Sequence, residues 1–137
     1  MKTIKQACII DDDTIFVFGI KIMLKKNNYC SNVVVYKNGK EALENMVLAN
    51  STITNLPDLI FLDINMPVMD GWEFLDEFSK FPKASEVAIF VLSSSIDARD
   101  LERAKSYEVV RDFIEKPLSN TKLKNLIHQL ETDDSRL

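Results

Sequence analysis

The chain has 137 residues, 46% of them hydrophobic and 28% charged, with a formal net charge of −4 at pH 7. That length suits one domain with a sizeable core, and the composition is that of a soluble globular protein. The acidic balance argues against a basic field for nucleic acid or an anionic membrane, and no apolar run reaches transmembrane length.

Residues Met1 to Gln6 carry a little positive charge but neither the apolar segment nor the cleavage site of a secretory leader, so a cytoplasmic location is expected. Ala7-Cys8-Ile9-Ile10 is an apolar run of strand length that ends in Asp11-Asp12-Asp13. Cys8 and Cys30, the two cysteines, have no C-x-x-C spacing and no His pair, which excludes a zinc site and leaves Cys8 as a buried thiol. From Thr14 the pattern turns helical: Phe16, Ile20, Met23 and Leu24 share one face, Asp13 or Thr14 can cap it, and Asn27-Asn28 ends it. Val33 to Tyr36 is β-branched and predicts a strand. Asn38-Gly39 is a turn, and Lys40 to Asn50 a helix with Leu43, Met46 and Val47 inward; Ser51 to Pro57 is a polar loop.

Leu59 to Leu62 is unbroken and apolar, the pattern of a strand buried on both faces, and Asp63 follows it directly. Pro67 and Gly71 mark a defined loop, with Gly71 assigned to a tight turn. A helix over Trp72 to Phe78 turns Leu75 and Phe78 inward before Phe81-Pro82-Lys83 breaks it. Val87 to Leu92 is the longest strand-like run and predicts a central strand, ending in Ser93-Ser94-Ser95. The helix over Asp97 to Tyr107 is the most polar, with Leu101 and Ala104 inward, and should be the least firmly packed. Phe113-Ile114 predicts a short fifth strand, followed by Glu115-Lys116-Pro117. The last helix, Asn120 to Thr132, carries the stripe Leu123, Leu126, Ile127 and Leu130, with His128 a solvated neighbour. The alternation of five strands with five helices predicts an α/β fold, a parallel sheet covered on both faces. It forms a single domain over 1–137, with its core at about 5–130 and a short charged tail at 131–137.

All strands of a parallel sheet end at one edge, where open α/β sheets bind ligands. Asp11, Asp12, Asp63, Ser93 and Lys116 each follow or end a strand and should converge there. Taken singly each has a plainer explanation: a helix cap, a solvated helix start, a loop lysine. Together, after four different strands, they describe a site. Two carboxylates ~5 Å apart at an effective dielectric of ~20 repel by about 3 kcal/mol, which a divalent cation removes. The candidate ligands are all oxygens, which suits a hard ion such as Mg²⁺ (or Mn²⁺). With an ordinary carboxylate pKa near ~4, Asp63 should be ionised and able to attack phosphorus without a general base. Phosphoryl transfer then needs positioning and charge neutralisation, from the cation, the Lys116 ammonium and the Ser93 hydroxyl.

The string from Asp58 to Gly71, DLIFLDINMPVMDG, resembles the phosphoacceptor segment of response-regulator receiver domains, the CheY-like family. The resemblance extends from about Lys5 to Leu130. It implies the flavodoxin-like, doubly wound five-stranded sheet of order 2-1-3-4-5. It implies that Asp63 is the phosphorylation site, and that Asp11, Asp12, Asp63 and the Asn65 backbone carbonyl hold the metal. Ser93 and Lys116 bind the phosphoryl group, Phe113 is the aromatic switch residue, and Lys116-Pro117 is a cis peptide. The implied partners are a sensor histidine kinase or histidine phosphotransfer protein upstream and an unknown protein downstream, with no nucleic acid and no membrane. The downstream surface is assigned to the fourth helix, fifth strand and fifth helix. The implied part is a phosphoacceptor signalling domain, not an enzyme, of the stand-alone single-domain type.

Val109-Val110 stands where the family has Gly before strand five, so a positive-φ turn is disfavoured and another path is expected. Phe113 lacks a hydroxyl and must switch through packing, while Asn65 and Ser95 occupy positions that tune phosphate lifetime in the family. One alternative is a receiver fold that acts as a phosphate sink or as an unphosphorylated binding module. A remoter one is an aspartate-nucleophile phosphatase, which would want an Asp where Asn65 stands. A mononucleotide binder would need a phosphate loop after the first strand, where Asp11-Asp12-Asp13 repels phosphate.

Overall fold

The computed structural model describes residues 4–52 and 56–132, the side chains of 47–52 excepted. In chain order the elements are β1 (Ala7–Ile10), α1 (Thr14–Lys26), β2 (Val33–Tyr36), α2 (Gly39–Thr52) and β3 (Leu59–Asp63). After these come α3 (Gly71–Phe78), β4 (Ala88–Ser93), α4 (Ala98–Lys105), β5 (Val110–Glu115) and α5 (Asn120–Thr132). The strands pair in parallel in the order β2-β1-β3-β4-β5, as the flavodoxin-like arrangement requires.

The period-two alternation of the strands divides the core into two layers. Ala7 and Ile9 of β1, Leu59 and Phe61 of β3, and Phe90 and Leu92 of β4 face the helices α1 and α5. Cys8 and Ile10, Ile60 and Leu62, and Ile89 and Val91 face α2, α3 and α4. Every residue of β1, β3 and β4 is buried. Each fully buried Leu, Ile or Phe among them contributes about 1.5–3 kcal/mol relative to exposure. Both cysteines are buried and free, and burial pushes the Cys8 thiol up.

The helix starts have identifiable caps. Asp13 accepts from the Phe16 N–H at 3.2 Å and caps α1. Asp70 and Glu73 form a reciprocal capping box on α3. Ser119 Oγ accepts from the Lys122 N–H at the start of α5.

Several boundaries differ from the sequence reading. The second helix spans Gly39–Thr52, which takes in part of the expected loop; Val47, assigned inward, lies outside the described side chains. A short 3₁₀ turn at Ala84–Glu86 precedes β4, which begins at Ala88 rather than Val87. In α1 the buried residues are Val17, Ile20 and Leu24, with Phe16 and Met23 only partly covered. Leu101, assigned inward on α4, is 38% exposed, which leaves Ala104 as that helix's buried residue.

The fifth strand is six residues long, not two, because Arg111 and Asp112 sit in it as well. It is an edge strand, and its half-exposed residues break the apolar run that would have announced it. Ile89 pairs with Val110 and Phe90 with Asp112, so Arg111 is the extra residue of a β-bulge. The Val110 N–H donates to the Tyr107 carbonyl at 3.1 Å to close the turn before it. Among the described residues only Asn28 and Val68 have positive φ, so this turn does without one.

Candidate functional site

The site is assembled by strand ends. β1 and β3 are neighbours, with Ile10 opposite Leu62, so the next residues, Asp11 and Asp63, emerge side by side. β4 lies on the other side of β3 and brings Ser93, and the Lys116 N–H donates to the Ser93 carbonyl at 2.8 Å. The Lys116–Pro117 peptide is cis.

Carboxylate oxygens of Asp11, Asp12 and Asp63 lie within 4.8 Å of one another. Asp11 and Asp63 are buried and Asp12 is exposed. Lys116 Nζ lies 2.8 Å from Asp11 Oδ2 and 3.8 Å from Asp63 Oδ1, with its side chain 13% exposed. Asp11 Oδ1 accepts from the Asp13 N–H at 2.9 Å, but the buried Oδ2 accepts no hydrogen bond, its close neighbour being the ammonium. Three carboxylates this close, two of them buried and offset by a single ammonium, fit a hard divalent cation, whose preferred ligands are oxygens.

Asp63 is not the ordinary carboxylate that its sequence position implied. Burial first, then the Asp11 charge, push its carboxyl up to about 7, against the opposing pull of Lys116 and the Asn65 N–H. That N–H donates to Asp63 Oδ1 at 3.4 Å, and Asn65 itself is exposed. The site thus favours the protonated acid more than an ordinary carboxylate environment does, and a bound cation would favour the charged form.

Ser93 is buried at the same edge, but its hydroxyl is engaged elsewhere. Ser93 Oγ donates to the Ser95 carbonyl at 2.7 Å and accepts from the Ser95 N–H at 3.2 Å. Phe113 is partly buried, and its ring meets Trp72 edge-on at 6.5 Å. Trp72 stacks on Tyr107 at 6.2 Å and lies 4.6 Å from the Arg103 guanidinium, while the Tyr107 hydroxyl donates to Asp76. None of these aromatic partners stood out in the sequence. Phe16, read only as a core-facing residue of the first helix, has its ring centre 4.4 Å from Lys116 Nζ. His128 is exposed and away from this edge, on α5.

The loop from β3 to α3 takes its shape from two residues. Gly71 donates its N–H to the Ile64 carbonyl at 2.9 Å, and a Cβ there would meet the Asp63 carbonyl oxygen at 2.6 Å. Its glycine is required by close approach and not by a positive φ, which corrects the tight-turn expectation. The positive φ belongs to exposed Val68, at 70°.

Comparison with known proteins agrees with this geometry. The family profile of the response regulator receiver domain matches residues 7–128. A two-component response regulator from Cytophaga hutchinsonii superposes with a TM-score of 0.85 at 28% identity, covering 96% of this chain and 100% of that one. The phosphorylated cyanobacterial phytochrome response regulator RcpA gives 0.76 at 26% identity, covering 95% and 92%. Among curated relatives, the probable methanogenesis regulatory protein FilR2 of Methanothrix harundinacea is 25% identical over 90% of this chain and 79% of its own length. The protein-glutamate methylesterase/protein-glutamine glutaminase of Methanococcoides burtonii is 29% identical over 93% of this chain, which spans only 34% of that protein. Among the described residues no helix is long and apolar enough to cross a membrane. Receiver domains are signalling domains that bind Mg²⁺ through acidic residues and interact with histidine kinases or phosphotransfer proteins. The chain belongs to the response regulator receiver domain family.

Proposed function

We propose that this chain is a cytoplasmic phosphoacceptor of a two-component system or phosphorelay, organised as one domain over residues 1–137 and phosphorylated on Asp63. The observation that carries the reading is the meeting of three carboxylates and one ammonium at the ends of β1, β3 and β5. Asp11, Asp12, Asp63 and the Asn65 backbone carbonyl would hold Mg²⁺ or Mn²⁺, which supplies charge neutralisation for the phosphoryl oxygens. An Asp63 carboxylate oxygen bonds to phosphorus as the bond to the donor histidine nitrogen breaks, and the imidazole leaves with the electron pair. Lys116 pairs with one phosphoryl oxygen. Ser93 gives up its Ser95 contacts to donate to another. Phe113 follows by repacking, and a downstream protein reads the changed α4–β5–α5 face. That RcpA is known in a phosphorylated form supports the reading.

The donor is a sensor histidine kinase or a histidine phosphotransfer protein, and α1 offers it a surface. Ile15, Phe18 and Ile22 are 84%, 66% and 45% exposed, an apolar stripe along α1, the helix that starts at the acidic edge. The test is intact mass after incubation of wild type and Asp63→Asn with acetyl phosphate and Mg²⁺. Wild type should gain one phosphoryl group and the variant none; equal uptake by both would end the proposal.

A further inference from the structure

We infer that Phe16 is a positioning residue for the phosphoryl site: its ring face seats the Lys116 ammonium where it can meet an anion on Asp63. The inference rests on the phosphoacceptor reading above and names a residue that the motif does not contain.

The geometry is specific. Lys116 Nζ lies 4.4 Å from the Phe16 ring centre, 2.8 Å from Asp11 and 3.8 Å from Asp63. The ammonium is thus bounded by two carboxylates and one aromatic face, with little solvent around it. A cation over a ring within ~6 Å is attracted by the negative face of the π system, and more strongly where water is scarce. Phe16 is itself well held. Its N–H donates to the Asp13 cap in the first turn of α1, and its ring packs only partly against the core. The fully buried residues of that helix are Val17, Ile20 and Leu24, while Phe16 is only partly covered and turns its ring to the ammonium as well as to the core.

The seat solves a problem peculiar to this lysine. A flexible ammonium beside two carboxylates would be drawn to whichever carboxylate is nearer, here Asp11. When a cation occupies the acidic cluster, that attraction weakens and the lysine is freed to wander into solvent. The ring gives it an uncharged, water-poor place to remain that does not depend on the acids' charge. The side chain then needs only a small movement to reach a phosphoryl oxygen on Asp63.

Phe16→Leu keeps an apolar side chain but removes the π face, and Phe16→Tyr keeps the face. Two readouts separate positioning from packing. The first is the NMR shift of the Lys116 Hε protons, which lie beside the ring and should be displaced upfield in wild type and Phe16→Tyr but not in Phe16→Leu. The second is affinity for beryllofluoride in saturating Mg²⁺, which should fall about fivefold in Phe16→Leu and recover in Phe16→Tyr. Affinity for Mg²⁺ alone should stay within about twofold throughout, since Lys116 donates no ligand to it. Equal beryllofluoride affinity in wild type and Phe16→Leu, or an equal defect in both variants, would overturn the proposal alone. Failure of wild type to bind beryllofluoride at all would overturn the phosphoacceptor reading and the proposal together.

Discussion

As the proposed phosphoacceptor Asp63 would have to be charged to attack phosphorus, yet burial and the Asp11 carboxylate hold its carboxyl up to about 7 in the metal-free site. A folded-state pKa above the ordinary ~4 means that the fold favours the protonated acid. This contribution to stability is present below about pH 4 and is lost as pH rises through about 7. Binding of a divalent cation must displace the proton, so affinity for Mg²⁺ should fall as pH drops below about 7. Calorimetric titrations should show roughly tenfold weaker binding at about pH 6 than at about pH 8, and unchanged affinity would contradict it. The neighbouring loop gives a second prediction at this scale. Gly71→Ala forces a Cβ to within 2.6 Å of the Asp63 carbonyl oxygen, a backbone atom that cannot rotate away. Urea denaturation should show a loss of about 1–3 kcal/mol. Val68, by contrast, is a β-branched residue at φ 70°, with the Met69 N–H donating back to the Pro67 carbonyl at 2.8 Å in a three-residue turn. Glycine there relieves strain of about 1–3 kcal/mol and costs about 0.5–1 kcal/mol in chain entropy. Val68→Gly should therefore leave stability unchanged or raise it, although it replaces valine with glycine.

At the scale of elements, what was legible depended on how one-sided each segment is. β1, β3 and β4 are buried on both faces, so an unbroken apolar run announced each of them. β5 lies at the sheet edge and carries Arg111 and Asp112, so only its Phe113-Ile114 core was visible. The first helix presents the opposite pattern. It is apolar almost all round, from Ile15, Phe16, Val17 and Phe18 to Ile20, Ile22, Met23 and Leu24. Periodicity placed the helix and set Phe16, Ile20, Met23 and Leu24 toward the core, but passed over the buried Val17. The surplus falls on the outside as Ile15, Phe18 and Ile22, spaced at i, i+3 and i+7. A solvated helix gains nothing from those residues, whereas a docked partner does. Phe18→Asp should slow phosphoryl transfer from a phosphorylated histidine phosphotransfer protein by about tenfold or more. Labelling by acetyl phosphate, which needs no docking surface, should be unchanged. Equal slowing with both donors would show that the substitution disturbs the site itself.

At the scale of the whole molecule, the proposed function requires the acidic edge to be coupled to a second face, through parts that sequence alone could not connect. The order of the sheet came from the family resemblance, and the convergence of Asp11, Asp12, Asp63, Ser93 and Lys116 followed from strand ends in a parallel fold. The raised Asp63 carboxyl, the Ser93–Ser95 turn and the ring contacts of Trp72 did not, because each depends on distances between remote segments. Those contacts define a route. In the proposed function Ser93 would release Ser95 to reach a phosphoryl group and so vacate space at the end of β4; Phe113 on β5 lies beside that strand. Phe113 touches Trp72; Trp72 holds Tyr107 by stacking and Arg103 by its ring face. The fourth helix depends on this clasp more than on core packing, since Ala104 is its one buried residue among those described. On the proposed route, an inward movement of Phe113 would remove an edge contact from Trp72, the ring on which Arg103 of α4 rests. A phosphoryl mimic should shift the pre-existing equilibrium by no more than its differential affinity for the two arrangements, commonly about 1–3 kcal/mol. Beryllofluoride with Mg²⁺ should change the emission of Trp72, the single tryptophan of the chain, and move the backbone amide resonances of residues 99–105 and Phe113. Phe113→Ala should abolish the Trp72 response while leaving beryllofluoride binding intact, because the edge contact that reports the switch is gone. Amide shifts confined to the loops after β1, β3 and β4, with Trp72 silent in wild type, would overturn the route and leave a domain that stores a phosphoryl group without displaying it.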